Sequence, residues 1–261
     1  MAVPFFPHSP FLNEVFPMKT ATFAATLSIA FMTSAHAVIV ASDNASNYGG
    51  GWTNGSNGGT GFGAWSFTTS GGGYKGAYIG EPALKGISGM ATYGFGLYAN
   101  GGGGASITAT RSFGAALGIG DSFSMQWGFN WDSDFGGNKG FSLFAGGSEV
   151  INVNNGGNAL VTVNGTNVGF GYGTEAMYWT FTQTTATTVT VEANDRDGTG
   201  TYSAVINVSG ALSRFSLYAS NMGPGGNREP FYNEFTIEAV PAPGATALIG
   251  AASLLTARRR K

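Results

Sequence analysis

The chain has two histidines, His8 and His36, and no cysteine. Both histidines lie in or before a stretch that reads as a leader, so the rest of the chain cannot assemble a Ser-His-Asp or Cys-His nucleophile. Zinc held by thiolates is excluded for the same reason. General acid–base chemistry is left to carboxylate pairs, as in glycoside hydrolysis. A strand that lines a cleft with carboxylates must carry them at alternate positions, because successive side chains point to opposite faces. The nearest strings are DSD at 132–134 and EANDRD at 192–197, and the second runs into a turn. Neither lines a cleft, so the expectation is a non-catalytic protein. A glycan-degrading enzyme working through carboxylates alone is the alternative.

Two other chemistries remain. Asp132 and Asp134, with Asn138 close by, could offer oxygen ligands to Ca²⁺, which takes six to eight. The same residues are also what a turn at the end of a strand needs. DRDGTG at 195–200 lacks the EF-hand spacing and reads as a hairpin turn instead. Sugar contact would need aromatic faces beside amides and hydroxyls. Trp52, Trp65, Tyr74, Tyr98 and Tyr218 stand near Gly-rich turns, and Tyr98 and Tyr218 are off-phase to the core positions Leu97 and Leu217. The polar stretch NMGPGGNREPFYN adds Asn221, Asn227 and Arg228. Loops are where such ligands usually bind.

The elements that must position these residues are strands. Glycine accounts for 44 of 261 residues, charged residues for only 10% and aromatics for 13%; ordinary chains carry ~7% Gly and ~25% charge. In DSFSMQWGFNWD the residues Phe123, Met125, Trp127, Phe129 and Trp131 alternate with polar or small ones, predicting one buried face and one wet face. ALVTVNG, TTVTVEAND, RFSLYAS and FYNEFTIEA alternate in the same way, between turn clusters such as NGGGG and NNGGN. GFGLYANG, GFSLFAGG and RFSLYASN are similar strands at unequal spacing, which argues against a solenoid. The expectation is an all-β antiparallel sandwich of about a dozen strands over residues 38–239. The order of these strands resembles jelly-roll domains of the concanavalin-like and laminin-G-like type. In that resemblance the NEFTI-like last strand closes against the first. It also implies that carbohydrate binding is one function open to the fold.

The two ends read as addresses. Residues 18–37 have a lysine, an apolar core from Ala21 to Met32, and the small residues Ala35 and Ala37 at a cleavage site. That is the anatomy of a secretory signal helix. Residues 1–17 are then either upstream of the true start at Met18 or a genuine extension. Residues 240–261 begin with Val240, Pro241, Ala242, Pro243 and Gly244. A 13-residue apolar or small stretch, Ala245 to Ala257, follows, and Arg258, Arg259, Arg260 and Lys261 end the chain. This tail resembles the PEP-CTERM sorting signal of exported bacterial proteins, with Ala242 where that family has Glu. The alternative is an ordinary C-terminal helix with a charged end. The resemblance implies signal peptidase and an exosortase-type enzyme as partners, transient membrane insertion through a C-terminal hydrophobic helix, and a secreted or cell-envelope location with contact to exopolysaccharide. A tail left uncut would instead keep the protein in the membrane. Thirteen of the fourteen acidic residues and seven of the twelve basic ones fall within 38–239, a net of −6. Electrostatics therefore disfavours nucleic acid as a partner. No cofactor other than calcium is expected.

Overall fold

The structure, a computed structural model, describes residues 36–100, 103–132, 136–158, 160–194 and 200–241. The expected signal helix and hydrophobic tail helix, with Ala35, Ala242, Pro243, Gly244, Arg258, Arg259 and Arg260, lie outside these residues. Among the described residues no helix is long and apolar enough to cross a membrane.

The domain is an all-β sandwich of two antiparallel sheets. In chain order the strands are β1 (Val38–Asp43), β2 (Ser66–Ser70), β3 (Tyr74–Gly80), β4 (Gly94–Asn100), β5 (Ser106–Ser112), β6 (Ser122–Phe129), β7 (Asn138–Ala145) and β8 (Ser148–Asn155). They continue with β9 (Leu160–Val163), β10 (Thr166–Gly171), β11 (Gly173–Thr185), β12 (Thr188–Asn194), β13 (Thr201–Asn207), β14 (Leu212–Ser220) and β15 (Phe231–Ala239). The first sheet runs β13-β12-β11-β6-β15-β4-β3 with β1 also paired to β15; the second runs β10-β9-β8-β7-β14-β5-β2. The chain crosses between layers repeatedly, for example from β4 to β5, back at β6, and again at β7. The last strand pairs with the first, Val38 opposite Ala239.

Alternation explains which side chains meet between the layers. Phe123, Met125, Trp127 and Phe129 of β6 face Phe141 and Leu143 of β7 and Phe215 and Leu217 of β14 within one core. The rings pack edge-on and tilted, as ring quadrupoles favour: Phe123 and Phe215 centroids are 5.0 Å apart, Trp127 and Phe141 5.6 Å. Trp131 departs from the expectation. The strand ends at Phe129, the alternation ends with it, and Trp131 is 52% exposed.

β15 changes partner halfway along its length. Phe231 and Tyr232 pair with β4, and Phe235 to Ala239 pair with β1. A bulge between Asn233 and Thr236, with Glu234 at φ 52°, makes the change. The Asn233 side chain pins both flanking segments: its Oδ1 accepts from the Ala45 amide and its Nδ2 donates to the Tyr93 carbonyl, each at 2.9 Å.

Candidate functional site

The three similar strands place their side chains alike. In β4, β7 and β14 the Phe and Leu point inward, at Phe95 and Leu97, Phe141 and Leu143, Phe215 and Leu217, all fully buried. The aromatic that follows, Tyr98, Phe144 or Tyr218, therefore points to the outer face. Tyr98 stands on the outer face of the first sheet and Tyr218 on that of the second, so the sandwich separates these two candidates.

Tyr218 is the better built of the two. It pairs with Gly140 across β14 and β7, and its ring crosses that glycine to reach β8. A Cβ on Gly140 would come 1.9 Å from the Val153 carbonyl oxygen and 2.7 Å from the Tyr218 hydroxyl. The hydroxyl accepts from Asn152 Nδ2 at 3.1 Å and shares its proton between Asn154 Oδ1 at 3.0 Å and the Val153 carbonyl at 3.1 Å. Asn152 Nδ2 also donates to Ser142 Oγ at 3.0 Å, and Asn154 Nδ2 to Asn138 Oδ1 at 3.2 Å. Underneath, the buried Tyr232 hydroxyl of the first sheet donates to the Gly140 carbonyl at 2.7 Å, tying the layers together below the ladder. Burial pushes the Tyr218 phenol well above its usual value, against the hydrogen bond from Asn152 and with a smaller contribution from the Glu149 carboxylate. The ring is thus neutral and fixed flat.

Around it runs an open groove of about 340 Å³, lined by Ser106, Thr108, Ser142, Phe144, Glu149, Asn152, Ser216 and Tyr218 among others. The Arg214 guanidinium lies 4.4 Å over the Phe144 ring at its far end. Hydroxyls, the Asn152 amide, the Tyr218 and Phe144 rings and a single carboxylate suit a polyhydroxylated neutral ligand. Acid–base cleavage of a glycoside commonly uses two carboxyl groups flanking the bond. Each of the five grooves described holds at most one: none in the groove at Trp52 and Ile79, Glu192 beside Tyr178, Glu234 beside Tyr93, Asp121 beside Leu117, and Glu149 here.

The other candidates disperse. Asn221, at φ 48°, donates its amide to the Ala105 carbonyl at 2.8 Å, one residue past the end of β14. Asn227 is exposed at the loop tip, and Arg228 Nη1 donates to the Pro224 carbonyl at 2.6 Å. The fully buried Lys139 reaches under this loop, donating to the Arg228 carbonyl at 2.7 Å and to the Trp131 carbonyl, 4.5 Å over the Phe129 ring. Of the calcium candidates, Asp134 lies outside the described residues and Asp132 is half-buried. Asn138 begins β7, with its carbonyl oxygen taken by Asn154. Among the described residues no three His, Cys, Asp or Glu side chains gather as a metal cage. Asp195 and Asp197 lie outside the described residues. The strands on either side of them pair antiparallel, Asn194 opposite Thr201, as a hairpin requires.

Two of the suggested stacking aromatics are corrected. Trp52 and Trp65 are 2% and 1% exposed, packed on each other and on Phe95. The segment 44–65 folds over the core, and an ion pair absent from sequence reasoning holds it there: Arg111 and Asp43, both side chains fully buried. Tyr48 donates to Asp43 Oδ2 at 2.6 Å, and Arg111 donates to the Gly58 and Gly63 carbonyls, each at 2.7 Å. Sequence reasoning also passed over Tyr178, half-exposed on β11 beside Glu192 and Asn194. Its exposure could have been found by counting outward from Trp179.

No protein-family model matches the chain, and no curated protein matches it. Solved structures with a similar strand arrangement include a carbohydrate esterase from the Shiga toxin-encoding bacteriophage phi24B, at 13% identity and a TM-score of 0.44, covering 78% of this chain and 100% of that one. The exoplasmic/lumenal domain of VIP36 in a Ca²⁺/Man3GlcNAc-bound form matches at 8% identity and a TM-score of 0.39, over 68% of this chain and 84% of that one. An alginate lyase from Klebsiella pneumoniae matches at 10% identity and a TM-score of 0.37, over 54% and 82%.

Proposed function

We propose that this is an exported, non-catalytic protein of the cell surface or extracellular matrix that contacts neutral polysaccharide through the groove beside Tyr218. The observation that carries the reading is the ladder Ser142–Asn152–Tyr218–Asn154–Asn138. It holds an aromatic ring flat on an outer sheet face with uncharged donors and acceptors around it. Glycoside hydrolysis commonly places a carboxyl group on each side of the scissile bond, and the groove offers one, Glu149. The leader at 18–37 and the tail at 240–261 supply the route out of the cell, through signal peptidase and an exosortase-type enzyme.

The test is electrophoresis of the protein through gels containing neutral or uronic-acid polysaccharides, beside the Tyr218→Ala variant. Retardation by neutral polymer that the variant loses is the expected result. Equal mobility of both proteins in every gel overturns the binding site. New reducing or unsaturated ends in the polymer overturn the non-catalytic reading and establish the enzyme in its place.

A further inference from the structure

The two ends of the sandwich expose different chemistry. Where β14 leads to β15, the connection is polar and Gly-rich, with Pro224 and Asn227 exposed. At the other end Val38, Ile39, Val40, Ile119 and Val240 are 53%, 61%, 51%, 67% and 42% exposed. All five stand on the rim at this end of the sandwich. Val38 is paired with Ala239, and the Val240 amide donates to Asp121 Oδ1 at 2.9 Å. A Cβ on Gly120, beside Ile119, would lie 3.6 Å from the Val240 side chain. Single exposed apolar residues need no explanation, but a contiguous apolar patch marks a contact surface.

The described strands β1 and β15 begin and end, respectively, at this rim. Because β1 and β15 run antiparallel, the strand that follows the leader starts where the strand before the tail ends. Residues 241–244 alone separate Val240 from the apolar stretch that opens at Ala245. Fully extended, they reach at most ~14 Å. The polar interface on each side of a bilayer is about 5–8 Å deep around a ~30 Å hydrocarbon core.

We infer that this end is a membrane-facing surface: with the tail inserted, Val38 to Val40, Ile119 and Val240 rest in the interface of a phospholipid bilayer. The inference depends on the proposed reading of residues 240–261 as a membrane-entering tail. The tail folded back on its own domain fits less well. The groove that continues the rim, between Val40, Leu117 and Ile237, holds about 240 Å³, less than the ~300–1,000 Å³ of a site for one small ligand. A 13-residue segment does not fit in it. None of the five residues is charged, and the acidic Asp121 and Glu238 stand beside them. The contact is therefore apolar and needs no anionic lipid, unlike a polybasic surface.

The chain contains no cysteine, so a single introduced thiol gives a unique probe position. Whole-chain variants Ile119→Cys, Pro224→Cys and Ser253→Cys, each carrying an environment-sensitive fluorophore, are reconstituted into phosphatidylcholine vesicles doped with nitroxide lipid. Probes at 253 and 119 should be quenched several-fold more than the probe at 224. Quenching at 253 with position 119 as bright as 224 overturns the surface and leaves the tail reading standing. No quenching at any position overturns both. Blue-shifted emission at 119 without vesicles also overturns the bilayer as occupant. If it survives dilution the tail covers the rim; if dilution removes it, a second copy does.

Discussion

Tyr218 separates two contributions, because its hydroxyl works inward on the Asn152–Asn154 ladder while its ring faces the groove. Tyr218→Ala should weaken polysaccharide binding about tenfold, a loss of ~1.4 kcal/mol. Tyr218→Phe should keep most of the affinity and lose about 1 kcal/mol of stability instead. Calorimetric titration and urea unfolding of both variants check this; equal binding losses would place the hydroxyl, not the ring, at the ligand. The Arg111–Asp43 pair is a second residue-scale matter, with both side chains fully buried. Arg111→Met leaves Asp43 buried without its cation, which costs about 3–5 kcal/mol, whereas Arg111→Met with Asp43→Leu should recover a large part of that. Urea midpoints of the two variants decide it. Beside that pair, burial together with the Asp43 carboxylate pushes the Tyr48 phenol up to about 12. The folded value lies above the unfolded one of ~10, so this tyrosine's contribution is intact below pH 10 and is lost as pH rises toward 12. Tyr78, Tyr218 and Tyr232 are raised mainly by burial as well. Stability should therefore fall steeply above pH 10, seen as a falling urea midpoint followed by ellipticity. A urea midpoint unchanged between about pH 9 and about pH 12 would contradict it.

At the scale of elements, the groove depends on β7 lying flat beneath Tyr218. Gly140→Ala would drive a methyl into the Val153 carbonyl and the Tyr218 hydroxyl at once. The expected cost is about 2–3 kcal/mol, a fall in Tm of about 5–10 °C for a domain of this length, together with loss of polysaccharide binding. Calorimetry and gel retardation read the two effects separately. This dependence was half legible in the sequence. The repeated aromatic-x-Leu-aromatic pattern places Tyr98 and Tyr218 opposite to the core, and the period-two run at 122–129 gives β6 its buried face, as found. What the pattern leaves open is sheet membership. Tyr98 and Tyr218 read alike locally, yet β4 and β14 belong to different layers, which only long-range pairing decides. Trp52 and Trp65 fail for a related reason. Neighbouring glycines suggest exposed turns, but the Arg111–Asp43 pair, between residues far apart in the chain, folds that segment inward. Trp131 fails at a boundary, where alternation runs past the end of the strand.

For the whole molecule, the positions at which the chain could be trimmed are set by β1. This strand pairs with β15 and supplies Ala41 to the core and Asp43 to the buried ion pair. A cut after Ala37 keeps every residue of β1, and a cut within residues 241–244 keeps β15 through Ala239 together with the Val240 bond to Asp121. Cutting six residues further in would remove Asp43, leave Arg111 buried and unpaired, and bare the edge of β15. Both cuts therefore leave every paired residue of β1 and β15 in place. Intact mass of the protein recovered from its host's envelope and medium should give a chain starting at Val38 and ending between Pro241 and Gly244. Arg258 to Lys261 retained in that mass would mean an uncut anchor and a resident membrane protein. A start well past Val38 would contradict the place of β1 in the mature sheet.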